Sequence, residues 1–396
     1  MIQISPETQL FIREHSSDDV RALALQAKKY PDIDMPTVIT QIAGRQVAAE
    51  KIPSWREIEE IWYPKHLSLE QCSSEITARY KARLLQGDSL TDLTGGFGID
   101  CSFLATGFKS ATYVERQEEL CEIAAHNFPI LNLNHINVRN EDGVAYLQSM
   151  SPVDCIFLDP ARRNEHGGKT VAISDCEPNV AELEALLLNK ANRVMIKLSP
   201  MLDLSLALKE LKHTQEIHIL SVNNECKELL ILLGQTSPTE ITIHCVNLLT
   251  KGTQEEQHLV FTREQEQRSQ CTYTDSLGNY LYEPNASLLK AGAFRSIAAA
   301  YPVRKLHPNS HLYTSDSFIE NFPGRIFRIV NQCSFNKKEV KENLADLKKA
   351  NVTVRNFPAT VAELRKRIHL AEGGDTYLFA STLNNGQKVL IRCEKV

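Results

Sequence analysis

Thr91-Asp92-Leu93-Thr94-Gly95-Gly96-Phe97-Gly98-Ile99-Asp100 carries a strand end, a glycine-rich turn and a helix start in one run. The apolar positions ahead of it predict a strand over Asp88–Asp92, and Cys101-Ser102-Phe103-Leu104-Ala105 continues the helix. Glycines accept φ > 0 and let a backbone approach a ligand with no Cβ in the way. A helix start adds unpaired N–H groups and the positive end of a dipole. The stretch therefore predicts a nucleotide-like ligand. A G-x-G-x-x-G dinucleotide fingerprint would need glycine where Cys101 stands, and that motif is weak alone. Asp92, just ahead of the turn, suits a ligand with positive charge and no pyrophosphate, as S-adenosylmethionine is with its amino and sulfonium groups. A purely structural glycine turn is the competing reading.

Outward from the turn, residues 88–233 alternate strands and helices. Strands are expected at Asp88–Asp92, Ala111–Glu115, Ile136–Arg139, Asp154–Leu158, Arg193–Lys197, Glu216–Val222 and Leu229–Leu233. Helices such as Glu118–Phe128 and Val180–Leu188 lie between them. This predicts an α/β fold with a doubly wound, mainly parallel sheet. Such sheets bind ligands at the carboxyl ends of their strands, and three more features fall there. Glu115 closes the second strand, placed to accept from both ribose hydroxyls. Asp142 follows the third, where it either accepts from an adenine amino group or caps the next helix. Asp159-Pro160-Ala161-Arg162-Arg163 follows the fourth. Proline stiffens that turn and leaves a carboxylate at the sheet edge. Asp159 could hold a nucleobase N–H so that its lone pair meets a methyl donor. Arg162 and Arg163 could clamp a phosphate; a plain turn with solvated charges is the alternative.

The flanks read differently. Residues 1–80 have apolar spacings near three and four, which predicts helices. Ser54 is a candidate N-cap. Trp55, Trp62 and Tyr63 are expected to pack in a core rather than stack on bases. After 237 come a β pair, Ile241–Leu248 and Gln257–Thr262, and a helix from Pro284 to Ala300. Residues 319–396 predict strand Arg325–Val330, a helix from Asn336, strand Val352–Asn356, helix Thr360–Leu370 and a hairpin turning at Asn384-Asn385-Gly386. This last segment holds 14 Lys and Arg against 8 Asp and Glu, while the other residues sum to −11 of the total −5. A basic module on an acidic body suggests contact with a polyanion; an unevenly charged solvated surface is the alternative. Ten scattered cysteines form no C-x-x-C pair, and neither a signal peptide nor a membrane-length apolar run is evident. A reducing, cytoplasmic location with free thiols follows as the expectation. No metal is expected. His307 and His311 are spaced i,i+4, but Pro308 lies between them; Gly167-Gly168-Lys169-Thr170 lacks the leading glycine of a P-loop. Cys155 lies within a strand and reads as core, which favours transfer to nitrogen over covalent pyrimidine chemistry.

Taken together, Asp92-Leu93-Thr94-Gly95-Gly96-Phe97-Gly98, Glu115, Asp142 and Asp159-Pro160-Ala161-Arg162-Arg163 resemble a class I S-adenosylmethionine-dependent methyltransferase. With Ser73-Ser74-Glu75-Ile76-Thr77-Ala78-Arg79-Tyr80, Lys197-Leu198-Ser199-Pro200 and Asn224-Glu225-Cys226-Lys227-Glu228, the chain is similar throughout to a bacterial family of such enzymes with a THUMP-like C-terminal domain. The resemblance implies cofactor contacts at Asp92, Thr94, Gly95, Gly96, Phe97, Gly98, Glu115 and Asp142, and a catalytic edge at Asp159, Pro160 and Arg162. It differs from the Asn-Pro-Pro-Tyr amino methyltransferases in having Asp159 and Ala161, with no aromatic residue after the proline. The resemblance implies four parts: a helical segment 1–75, a Rossmann-like methyltransferase domain 76–236, a connecting β segment with a ferredoxin-like module 237–318, and the THUMP-like domain 319–396. THUMP domains proper bind RNA, so Lys337, Lys338, Arg365, Lys366 and Arg367, with Arg163 and Lys197 nearer the chemistry, are the candidate substrate contacts. The expected activity is methylation of a base nitrogen in tRNA or rRNA. A methyltransferase acting on a small molecule or protein, and a non-catalytic RNA-binding protein, are the alternatives.

Overall fold

The computed structural model describes residues 5–162, 172–252 and 255–396. The chain divides into two compact units, one of residues up to 215 with 230–238, the other of 216–229 with 239–396. This partition is coarser than the four parts expected from the sequence.

The first unit is built on parallel strands. They are β1 (Ser89–Asp92), β2 (Ser110–Glu115), β3 (Ile136–Asn140), β4 (Val153–Leu158) and β5 (Ala191–Leu198). Helices α1 (Ile99–Ala105), α2 (Glu118–Ile130), α3 (Gly143–Ser149) and α4 (Val180–Lys190) connect them. Every pairing in the order β3-β2-β1-β4-β5 is parallel. The strand order reverses between β1 and β4, and their carboxyl ends flank the crevice where such sheets take ligands. β1, β4 and β5 end in unbroken buried runs, as strands covered on both faces must.

Helices Pro6–Glu14, Val20–Leu25, Met35–Lys51, Pro53–Arg56, His66–Gln71 and Glu75–Ala82 precede the sheet. Ser5, Asp19 and Asp34 cap three of them through side-chain oxygens. Ser54 is not a cap. Pro53 opens its own short helix, and the Ser54 N–H instead donates to Glu75 at 2.9 Å. Ile52, Trp55, Ile61 and Tyr63 pack with Phe97, Ile99 and Ile123. The helical segment therefore braces the glycine turn, with the edge of one ring of the Trp55–Phe97 pair meeting the face of the other at 5.3 Å. Trp55 and Tyr63 are core residues, as expected.

The second unit takes most of β6 (Thr214–Val222), the start of β7 (Glu225–Gly234), β8 (Thr242–Leu248) and β9 (Glu256–Thr262). Asn223 and Asn224 turn the β6–β7 hairpin with φ of 49° and 69°, the left-handed values a two-residue type I′ turn demands. β8 runs parallel to β6 and antiparallel to β9. A seven-stranded sheet follows: β10 (Tyr280–Pro284), β11 (Arg304–His307), β12 (Ser310–Ser315), β13 (Gly324–Ser334), β14 (Asn351–Val354), β15 (Thr376–Thr382) and β16 (Lys388–Lys395), in the order β11-β12-β10-β13-β16-β15-β14. The helix expected from Pro284 to Ala300 is two, Ala286–Ala291 and Phe294–Ala300. Gly292 sits between them at φ 69° and ends the first, the usual place of a left-handed glycine. Among the described residues no helix is long and apolar enough to cross a membrane. All ten cysteines are free.

Candidate cofactor and catalytic site

The glycine turn is held from beneath. The Tyr113 hydroxyl donates to the Gly96 carbonyl. A Cβ on Gly95 would lie 2.2 Å from the Tyr113 ring. Gly98 has φ 86° and immediately precedes α1, and a Cβ there would press on Phe128 at 3.1 Å. Phe97 buries its ring in the helical core, so only its backbone is left to line the turn. Gly98→Ala is expected to lower stability by about 1–2 kcal/mol, the cost of a left-handed L-residue, read as a shifted urea midpoint with unchanged slope.

Four carboxylates gather at the strand ends. Asp92 is buried; its Oδ1 accepts from the Thr94 N–H at 3.0 Å. Its Oδ2 is buried with no hydrogen-bond partner among the described residues. Burial pushes the Asp92 carboxyl well above its usual range, and the charges of Asp100, Asp159 and Glu115 add to this against the Thr94 hydrogen bond. Glu115 accepts from the Gly96 N–H and the Gln117 N–H, both at 2.9 Å, which leaves lone pairs on both oxygens. Asp142 caps α3, with Oδ1 accepting from Val144 and Ala145. Of the two roles open to it, the structure realises the cap.

Asp159 sits at the end of β4, its backbone N–H donating to the Thr94 hydroxyl at 2.6 Å. Pro160 is buried behind it. Lys197, expected to meet substrate, is instead buried and ion-paired: its ammonium binds Oδ2 of Asp159 and lies 3.5 Å from Asp100. A strand-end lysine between two carboxylates is held by charge, which fixes its ammonium beside Asp159. Asp100 continues the chain of contacts to Lys81 at 3.0 Å and to the Ser73 hydroxyl at 2.6 Å. Burial raises the Asp100 carboxyl, but Lys81, Lys197 and Ser73 outweigh it and hold it below the ordinary carboxylate range. Lys81 itself is fully buried. Lys81 and Lys197 both meet Asp100 and Lys197 meets Asp159, while Asp92 feels the negative charges of Asp100, Asp159 and Glu115. An orphaned carboxylate oxygen inside a surplus of negative charge fits a cationic ligand. The backbone of Arg162 pairs with Cys176 in a two-stranded ribbon. Arg163, the Arg162 side chain and the 167–170 loop lie outside the described residues.

The second unit holds the basic cluster. Lys337 and Lys338 are exposed at the start of helix α5 (Lys337–Leu344). Lys366 and Arg367 are exposed on α6 (Val361–Ile368), where Arg367 lies over the Phe335 ring at 4.0 Å. Arg365, on the same helix, has a side chain 19% exposed that pairs with Glu372 at 2.9 Å.

Residues 280–323 match a ferredoxin-like domain family and residues 324–395 a THUMP domain-like family. A crystal structure from Porphyromonas gingivalis W83, named as a "putative methyltransferase", shares 35% identity over all of both chains with a TM-score of 0.87. The chain belongs to that "putative methyltransferase" family with a C-terminal THUMP-like domain. An rRNA methylase from Streptococcus thermophilus is 14% identical, covering 40% of this chain and 93% of that one, at a TM-score of 0.29. A Streptococcus mutans protein solved with SAH is 11% identical, covering 40% and 96%, at 0.30. No protein of curated function matches. In the first unit, Ser73 and Asp100 stand inside the quoted runs without an assigned role, and Lys81 lies just beyond one of them. A charged residue right after a glycine turn, at a buried helical position, was the one signal for Asp100.

Proposed function

We propose that this methyltransferase transfers a methyl group from S-adenosylmethionine to a base nitrogen of tRNA or rRNA. The observation that carries the reading is Asp159: a carboxylate at the switch-point end of β4, oriented by Lys197 and anchored through its N–H to Thr94. S-adenosylmethionine brings an electrophilic methyl group on a cationic sulfur. Oδ2 of Asp92 would accept from its amino group, Glu115 from its ribose hydroxyls, and Asp142 from its adenine amino group while still capping α3. Asp159 would accept a nucleobase N–H and keep the nitrogen lone pair aimed at the methyl; as the C–N bond forms the methyl–sulfur bond would break, its electron pair remaining on sulfur as a neutral thioether, and the nitrogen's proton would pass to Asp159. Lys337, Lys338, Lys366 and Arg367 would meet phosphates.

A raised Asp92 carboxyl has a consequence for binding. The free protein holds a proton there to higher pH, whereas the cationic ligand favours the carboxylate. Affinity for S-adenosylmethionine is therefore expected to rise with pH through the Asp92 titration, and proton release should appear in calorimetry run in buffers of different ionisation enthalpy. Asp92→Asn should weaken binding and flatten the dependence.

The decisive experiment is transfer of labelled methyl to total RNA from a strain lacking this protein, resolved by size. Label in one size class supports the reading. No label with cofactor binding intact redirects the search to small molecules and proteins, and no cofactor binding removes it. RNA affinity should fall linearly on a log–log plot against salt, less steeply when Lys337, Lys338, Lys366 and Arg367 are replaced by Ala.

A further inference from the structure

Away from the methyl-transfer site, Glu216 and His218 lie two residues apart on β6 and so share a face. The parallel register sets His244 of β8 directly beside His218. Oε2 of Glu216 lies 3.4 Å from Nε2 of His218 and 3.8 Å from Nε2 of His244. One ligand atom from each residue falls within 4.8 Å of the others. A tetrahedral zinc with bonds of ordinary length holds its ligand atoms about 3.3 Å apart, close to the spacing here, and one of the two stacked imidazoles must turn out of the stack for both in-plane lone pairs to meet one ion. The His218 and His244 rings stack 4.2 Å apart and 10° from parallel. His218 is buried, with Glu216 and His244 half-buried beside it, so rigid strands carry all three.

An outer partner is also present. Nδ1 of His244 lies 3.3 Å from Nε2 of His258 on β9. When His244 bonds a metal through Nε2, its Nδ1–H donates to His258, the kind of contact that fixes a ligating ring and its tautomer. Two imidazoles and one carboxylate form a borderline set that favours first-row transition ions over calcium or magnesium.

We propose that Glu216, His218 and His244 form a three-ligand site for a divalent transition metal, zinc by preference, with His258 orienting His244. The fourth position is left to water or another ligand, as in three-ligand zinc sites generally. The expectation of no metal rested on linear motifs, and these ligands meet only through strand register.

The test uses the untagged full-length chain after EDTA treatment and gel filtration. Calorimetry with Zn²⁺ is expected to give one site per chain, bound at least about a hundredfold more tightly than in His218→Ala/His244→Ala. His258→Ala is expected to weaken binding about 10–100-fold, and Glu216→Gln to weaken it as well. Co²⁺ should produce the intense visible absorption of a four-coordinate site in the wild type and not in the double variant. Zinc should raise the wild-type melting temperature alone. The proposal is overturned if the wild type binds no zinc, or if the double variant, folded as judged by its metal-free melting curve, binds it equally well. Should that variant not fold, unchanged zinc affinity in Glu216→Gln and His258→Ala overturns it instead.

Discussion

Asp159→Ala is expected to lower methyl transfer about 10²–10⁴-fold, the range for a positioned proton acceptor, with calorimetric affinity for S-adenosylmethionine kept. The reason lies in how the residue is held. Its N–H is anchored on Thr94 and its turn stiffened by Pro160, so the backbone survives loss of the carboxylate. Lys197 keeps Asp100 as a partner at 3.5 Å, so no buried cation is left unpaired. Melting should therefore move little while turnover collapses. Asp159→Asn, which retains an acceptor oxygen but not a base, should fall between wild type and Ala. Unchanged turnover in Asp159→Ala would remove the residue from the mechanism. Lost cofactor binding would make it part of the binding site instead.

The larger effect on stability is expected at Lys81. Its fully buried ammonium lies 3.0 Å from Asp100 and 3.0 Å from the Ser73 hydroxyl. Removing one partner of a buried pair costs about 3–5 kcal/mol, because the remaining charge stays out of water. Lys81→Met should sit near the low end, since Lys197 and Ser73 still reach Asp100. Chemical denaturation measures it. Replacing both partners, as in Lys81→Met/Asp100→Leu, should recover most of the loss, because an apolar pair of similar volume replaces the ions at little net cost. If the double variant is as unstable as the two single losses added together, the pair is not a coupled unit. Acid gives a second readout. Asp100 is depressed in the folded state, so its stabilisation is present above the ordinary aspartate range and lost as pH falls through its folded value. The double variant should show a shallower acid limb than wild type.

Features governed by local spacing were legible in the sequence. The strand–glycine–helix run, the carboxylates at strand ends and the parallel order all follow from apolar runs and glycine placement. The same logic separated Trp55 and Tyr63 from base-stacking roles. Contacts that join distant positions were not legible. Ser73 meets Asp100 across 27 residues, and Asp159 meets Lys197 across 38, so nothing local shows Lys197 turning inward. Arg365 looked like its neighbours until the fold brought Glu372 against it. His218 and His244 face each other because of register alone. The break at Gly292 was readable in principle, yet the apolar spacing on both sides masked it.

The seven-stranded sheet bears on how the C-terminal region can be taken apart. The two domain families meet between residues 323 and 324, where β13 begins, and β13 pairs with β10 on one side and β16 on the other. Glu283 of β10 binds Arg325 and Arg355 across that junction, and a Cβ on Gly324 would lie 2.1 Å from the Glu283 carbonyl oxygen. A truncation at the boundary would leave a bare β13 edge, a template for pairing with other chains, and a buried glutamate stripped of its cations. The ferredoxin-like and THUMP-like segments are thus expected to fold only as one piece, because neither completes the shared sheet alone.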